Sequence, residues 1–134
     1  MLVNIENAEL YPEWHDFIQD EDTRKAFRYI IGLAACVRST SCQIYWKGEV
    51  RAVRLNDKSG ARPYSFITNQ RWLLFYFRNP AIRSGAHDRG ALEKLFETFN
   101  ETPKGEWTVK LRGIADVERL ADYLGWTIDK SRLP

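Results

Sequence analysis

The apolar positions of this chain change their spacing along its length, from helical to alternating and back to helical. Over residues 22–37 apolar side chains recur about every 3.6 residues, which predicts an amphipathic helix. This stripe consists of Phe27, Ile30, Ile31, Ala34 and Val37. A shorter helix is predicted over residues 12–19, because Pro12 suits a first helical position and apolar residues follow it at helical spacing.

The middle of the chain follows the two-residue period of strands. We expect strands over residues 42–46, 49–55, 64–68 and 72–77. Lys47-Gly48 fits a tight turn between the first two strands, although one long bulged strand over residues 42–55 is an open alternative. Residues 72–77 are apolar at every position, which predicts a central strand covered on both faces.

The last third of the chain returns to helical spacing around one more strand. A helix is predicted over residues 89–99, an alternating strand over residues 107–112, and a helix over residues 114–124 that Gly125 ends. The order α-α-β-β-β-β-α-β-α predicts one α+β domain over residues 1–134. It has two N-terminal helices, a four-stranded antiparallel meander and a helix-strand-helix, so that a single layer of sheet is covered by helices. Residues 1–10 and 127–134 are expected to be loose ends.

The bulk composition agrees with a folded domain and excludes several classes. A chain of 134 residues with 44% hydrophobic residues has enough material for one core. Its longest apolar run, residues 72–77, is too short to cross a membrane, and its start lacks the basic and apolar regions of a signal peptide. We therefore expect a cytoplasmic protein. Cys36 and Cys42 have no second pair of Cys or His nearby, so buried thiols are predicted, with no metal and no cofactor.

Charge is distributed unevenly along the chain. Residues 1–22 hold seven acidic residues and no Lys or Arg, whereas residues 23–83 hold twelve basic residues and two acidic ones. Residues 84–134 are nearly balanced, with eight basic and nine acidic residues. A cationic middle segment favours contact with a polyanion or with an acidic protein surface. The acidic start could also lie over part of that segment and compete with such a partner.

The predicted meander brings several of these cations to one end of the sheet. If residues 69–72 close a hairpin, residue 64 pairs with residue 77, and Arg62 then lies beside Arg78. The predicted basic rim consists of Arg38, Lys58, Arg62, Arg78 and Arg83, with Tyr45 and Tyr64 as candidate stacking surfaces. Arginine suits phosphate because its planar guanidinium grips two oxygens at once and stays charged.

These patterns favour a non-catalytic binding module that contacts a polyanion through its basic rim, with nucleic acid as the foremost ligand. The alternative is a protein-interaction or regulatory subunit that binds an acidic or aromatic-rich partner surface. Tyr11, Trp14 and Trp126 are candidate exposed anchors for such a partner, since Trp, Tyr and Arg are enriched at interface hot spots.

Catalytic chemistry is sparse in the sequence. His15 and His87 are the two histidines, and both are expected at the surface. The element order resembles the core of restriction-endonuclease-like enzymes, in which an Asp is followed by a Glu-x-Lys on the next strand. Asp57 has the corresponding kind of position, but residues 65–71 contain no Glu-x-Lys. An atypical or degenerate nuclease-like domain is therefore the third hypothesis, and it rests on element order alone.

Overall fold

Strands and helices follow one another in groups in the computed structural model, which describes residues 5–37, 40–57 and 61–126. The strands are β1 (Ile5–Glu6), β2 (Thr40–Lys47), β3 (Val50–Asp57), β4 (Tyr64–Thr68), β5 (Leu73–Phe77), β6 (Asn100–Glu101) and β7 (Trp107–Leu111). The α-helices are α1 (Tyr11–Phe17), α2 (Glu21–Cys36), α3 (Asn79–Arg83), α4 (Arg89–Leu95) and α5 (Ile114–Leu124). A single 3-10 turn, Ala8–Leu10, precedes α1.

All the strands belong to one sheet, with the order β1-β2-β3-β4-β5-β7-β6. Neighbouring strands are antiparallel, except that β1 runs parallel to β2. The α+β class predicted from the sequence is confirmed, but the predicted arrangement was incomplete. It left out β1, β6 and α3, because elements of two to five residues are too short to show a period.

Residues 42–55 form two strands joined by a tight turn. Lys47 pairs with Val50, so Gly48 and Glu49 are the two turn residues. Gly48 has a φ of 63°, a conformation that a residue with a side chain adopts at a cost. The hairpin is therefore the correct one of the two alternatives left open by the sequence.

One face of the sheet is the floor of the core. Because residues opposite each other on paired strands share a face, Ile44, Val53, Phe66, Phe75 and Val109 form one row across five strands. All five side chains are fully buried. The helices cover this row, and α1, α2, α4 and α5 each contribute buried side chains to the same hydrophobic cluster.

The opposite face of the sheet carries no helix in the described part of the chain. Every sheet residue of the hydrophobic cluster belongs to the buried face, whereas Leu74 and Tyr76 on the other face of β5 stay partly exposed. The expectation that residues 72–77 are covered on both sides was therefore wrong. The helices are segregated on one side, which is a usual solution for an antiparallel sheet.

Several single-residue expectations are settled by burial. Trp14 is fully buried and its Nε1 donates to the backbone oxygen of Ala52 at 3.2 Å, so it cannot be an exposed anchor. Tyr11 and Trp126 are partly buried against the core. Cys36 and Cys42 are buried free thiols as predicted, and burial raises the pKa of Cys42 to about 12. In the described ranges, no helix combines the length and apolar character that crossing a membrane requires.

Candidate functional site: the open face of the sheet

Two rows of side chains cross the helix-free face, which we call the open face. The first row is Tyr45, Ala52, Ile67, Leu74 and Lys110. The second row is Gln43, Arg54, Ser65, Tyr76 and Thr108. The two rows combine aromatic, cationic, small polar and aliphatic side chains; Ala52 and Thr108 are buried among them, and the others are partly exposed.

Cations lie against aromatic rings at two places on the open face. The guanidinium carbon of Arg54 is 4.0 Å from the ring centre of Tyr45, and Nη1 of Arg54 donates to Oε1 of Gln43 at 3.4 Å. Nζ of Lys110 lies 4.3 Å from the ring of Trp72. Such contacts position a charge without neutralising it, because the partner is a π face and not a carboxylate.

A groove of about 390 Å³ runs diagonally over the open face, from Lys47 on β2 to the turn between β6 and β7. It crosses four strand spacings, or roughly 19 Å at the usual strand separation. Its walls and floor are formed by Tyr45, Lys47, Ala52, Ser65, Ile67, Tyr76, Arg78, Thr102, Pro103, Lys104 and Glu106. The turn that forms one wall is closed by Thr102, whose N–H donates to the oxygen of Glu106 at 2.8 Å.

Glu106 and Arg78 form an ion pair inside this groove. Oε2 of Glu106 lies 3.4 Å from Nε of Arg78 and also accepts from the backbone N–H of Asn79 at 3.4 Å. The Glu106 side chain is 15% exposed and that of Arg78 is 32% exposed. Burial raises the pKa of Tyr76, and the negative charge of Glu106 raises it further, so the phenol is neutral at physiological pH.

Cations outnumber acids on the open face. The cations are Lys47, Arg54, Arg78, Lys104 and Lys110. The acids are Glu106 and, at the edge of the sheet, Glu6 of β1, which pairs with Gln43. Since Glu106 is already paired with Arg78, the electrostatic potential of the groove favours anions.

The structure places the two predicted stacking residues on opposite sides of the sheet, and one cation of the predicted basic rim, Arg78, lines the groove. Tyr64 pairs with Phe77 as predicted, and the N–H of Arg78 donates to the oxygen of Pro63 at 2.9 Å, so the backbone of residue 62 comes close to Arg78. Because alternate residues of a strand point to opposite faces, Arg78 lies on the other face from Phe77 and its partner Tyr64. Arg78 and Tyr45 both line the groove of the open face, whereas Tyr64 lies on the helix side.

Among the predicted rim residues that the structure describes, Arg62 and Arg83 do not line the groove. Arg62 and Arg83 are exposed, and neither makes an ion pair with another described residue. Arg38 and Lys58 lie outside the described residues. The anion-binding role of these four residues stays a prediction.

A second cleft, of about 550 Å³, lies on the helix side at the end of the sheet. His87 connects two tyrosines there: Nε2 lies 2.8 Å from the hydroxyl of Tyr64, and Nδ1 lies 3.3 Å from the hydroxyl of Tyr123. The expectation of a surface histidine was therefore wrong for His87. Burial lowers the pKa of His87 and raises that of Tyr64 to about 12, so the imidazole and this phenol are neutral at physiological pH. His15 is also partly buried, with Nε2 at 2.7 Å from Nη1 of Arg28.

Sequence reasoning missed Trp72, Tyr76, Lys104, Glu106 and Lys110 as site residues. The sequence pattern could have identified Trp72 and Tyr76. Both occupy even-numbered positions of the predicted strand 72–77, as Arg78 does just after it, so the pattern places the three side chains on one face of the sheet. For Lys104 and Glu106 there was no such pattern, since a loop residue carries no period. Across the ranges that the structure covers, no group of three or more His, Cys, Asp or Glu side chains is arranged to hold a metal ion.

Comparisons with protein families, with curated proteins and with solved structures found no match to this chain.

Proposed function

We propose that the protein binds single-stranded nucleic acid along the groove of the open face and catalyses no reaction on it. The observation that carries this proposal is the combination, in one groove, of the rings of Tyr45 and Tyr76 with Lys47, Arg78 and Lys104. Aromatic rings on an exposed sheet stack unpaired bases, while cations beside them contact the phosphates.

A single strand suits this groove better than a duplex. The faces of paired bases are hidden in a duplex, so a stacking surface on the protein gains nothing from them. Unpaired bases can instead lie on Tyr45 and Tyr76, and each base stacked on an aromatic ring contributes about 1–3 kcal/mol. Lys47 at one end of the groove and Lys104 at the other then receive phosphates along the same strand.

The nuclease hypothesis has less support from the site. Strand β4 (Tyr64–Thr68) contains no carboxylate that could join Asp57 in holding a metal. Oδ1 of Asp57 accepts from the backbone N–H of Ala61 at 3.0 Å, which is a loop-stabilising contact. A binding role needs no carboxylates that hold a metal, and it accounts for the cations and aromatic rings of the open face.

The proposal is tested by fluorescence anisotropy with labelled DNA and RNA single strands of about 12 nucleotides. We expect binding that weakens with salt, with log K falling by about 3 for each tenfold rise in salt if four phosphates are neutralised. A duplex of the same length should bind at least about tenfold more weakly, because its base faces are not accessible.

Charge-reversal variants locate the binding surface. Lys47→Glu combined with Lys104→Glu should lower affinity by at least about tenfold. Arg62→Glu combined with Arg83→Glu makes the same change of charge on exposed residues outside the groove, and it should leave affinity nearly unchanged. If the second pair abolishes binding and the first does not, the predicted rim is the binding surface. If neither DNA nor RNA binds wild-type protein at low salt, the proposed function is wrong.

A further inference from the structure

Glu106 is the acid that lies inside the groove, where a negative charge would repel a phosphate. Its side chain is 15% exposed, so the carboxylate is held within the groove and not in bulk water. A carboxylate in a site for a polyanion has to face the part of the ligand that donates hydrogen bonds. In a nucleic acid those donors are the N–H groups on the edges of the bases.

The position of this carboxylate is set by its neighbours. The backbone N–H of Glu106 donates to Oγ1 of Thr102 at 3.1 Å, which fixes the start of the side chain. Oε2 accepts from Arg78 and from the N–H of Asn79, both at 3.4 Å, near the long limit of a hydrogen bond. Among the described residues no group donates to Oε1, so one oxygen is unused and the other is weakly used.

The bases differ in what they offer to a carboxylate. Guanine presents two adjacent donors on its Watson–Crick edge, N1–H and the N2 amino group, which match two carboxylate oxygens. Adenine and cytosine present an amino group beside a ring nitrogen with a lone pair, and that lone pair repels a carboxylate. Uracil and thymine present one N–H between two carbonyl oxygens. A fixed carboxylate therefore favours guanine, by the same geometry that pairs a carboxylate with two N–H groups of arginine.

A stacking surface lies next to the carboxylate. Tyr76 and Glu106 line the same groove, and the negative charge of Glu106 contributes to the raised pKa of the phenol. A base lying on the Tyr76 ring would therefore turn an edge toward Glu106. Arg78 balances the charge of the carboxylate and leaves guanidinium N–H groups for the oxygens of the ligand.

We infer that Glu106 reads the Watson–Crick edge of a guanine stacked on Tyr76, so that the groove prefers single strands containing guanine. This inference rests on the proposed function, because it assumes that a single strand occupies the groove.

The test uses oligothymidine of about nine nucleotides with one central base replaced. With wild-type protein we expect the guanine oligomer to bind about tenfold more tightly than the adenine, cytosine or unsubstituted oligomers. Hypoxanthine, which lacks the N2 amino group, should give an intermediate affinity. 1-Methylguanine, which lacks N1–H, should bind no better than thymine.

The matched variants are Glu106→Gln and Glu101→Gln. Glu106→Gln should reduce the guanine preference several-fold, because an amide has one acceptor oxygen and cannot accept from N1–H and the N2 amino group together. Glu101→Gln, which makes the same change on an exposed residue that pairs with Arg89, should keep the preference.

Equal affinity of the wild-type protein for all the oligomers, or a preference for another base, would overturn this inference while the proposed function stands. A guanine preference of unchanged size in Glu106→Gln would overturn it as well. Absence of binding to every oligomer would overturn both. If Glu106→Gln fails to fold, the hypoxanthine and 1-methylguanine oligomers decide the question with wild-type protein.

Discussion

Thr23 is a buried polar residue whose hydroxyl contacts two separate segments of the chain. Its side chain is fully buried at the start of α2 (Glu21–Cys36). Its hydroxyl lies 2.7 Å from Oδ2 of Asp20 and 2.8 Å from the backbone oxygen of Arg71. The backbone N–H of Thr23 also donates to Asp20, and these two hydrogen bonds lower the pKa of the carboxyl. One side chain thereby joins the cap of α2 to the turn between β4 and β5.

Thr23→Val should lower the free energy of unfolding by about 1–2 kcal/mol, because it removes the hydroxyl while keeping the shape of the side chain. Urea unfolding followed by circular dichroism measures the change. Thr108→Val is the matched control: this side chain is also buried, but its hydroxyl lies 3.5 Å from its acceptor, the oxygen of Asn100. The control should lose less than about 0.5 kcal/mol. Equal stability of Thr23→Val and wild type would refute the role of the hydroxyl.

At the scale of single elements, the hairpin of β2 and β3 depends on its turn. The positive φ of Gly48, followed by an ordinary φ at Glu49, is the pattern of a type II′ turn. This turn has the twist that the two flanking strands need. It places Lys47 and Tyr45 at the beginning of the groove.

Gly48→Ala should destabilise the protein by about 1 kcal/mol, since alanine adopts the left-handed region at a cost. Gly32→Ala makes the same change in the interior of α2, where an added Cβ would meet no atom within 4 Å. It should stabilise the protein by about 0.5–1 kcal/mol. Both variants change the unfolded chain alike, so opposite shifts of the melting temperature would isolate the effect of φ. Shifts of the same sign would contradict this explanation.

At the scale of the whole molecule, the described helices cover one face of the sheet and leave the other face open. Some basic residues of the middle segment lie on α2 and not on the open face. Glu21, one of the N-terminal acids, lies 3.1 Å from Arg28 and 3.9 Å from Arg24 on its own helix. These exposed pairs add little stability, but they occupy cations of the middle segment without reaching the open face.

His87, which lies between Tyr64 of the sheet and Tyr123 of α5, should make the stability of the protein depend on pH. Burial lowers the pKa of His87 below its ordinary value of 6.5, so the unfolded chain binds this proton more tightly than the folded protein does. The stability that neutral His87 supports is therefore present above pH 6.5. It decreases as the pH falls from there toward the pKa of the folded state, and it levels off below that pKa.

Melting temperatures from about pH 8 to about pH 5 test this dependence. Wild-type protein should lose more stability over this range than His87→Gln, which keeps a polar side chain but cannot take up the proton. His15 is unchanged in both proteins, so it does not account for a difference between the two curves. Parallel curves for the two proteins would show that His87 does not control the acid stability.

Most regular elements were predictable because their signal is local. The stripe of Phe27, Ile30 and Ile31 specifies the buried side of α2, and alternation specifies β4 and its pairing with β5. The candidate site was less predictable. Arg78 and Tyr45 were named from the sequence, but as parts of a rim, because the face on which each side chain lies depends on the register of the whole sheet.

The sequence by itself determined the helices, the strands of the hairpins and the excess of cations in the middle of the chain, since periodicity and charge are properties of neighbouring residues. The tertiary structure alone decided which face of the sheet stays open. Strand β5 is apolar on both sides, and the packing of α2 and α5 from distant parts of the chain covers just one of them. The same long-range pairing sets β7 beside β5, and this brings Glu106 and Lys104 to the groove that begins at Lys47.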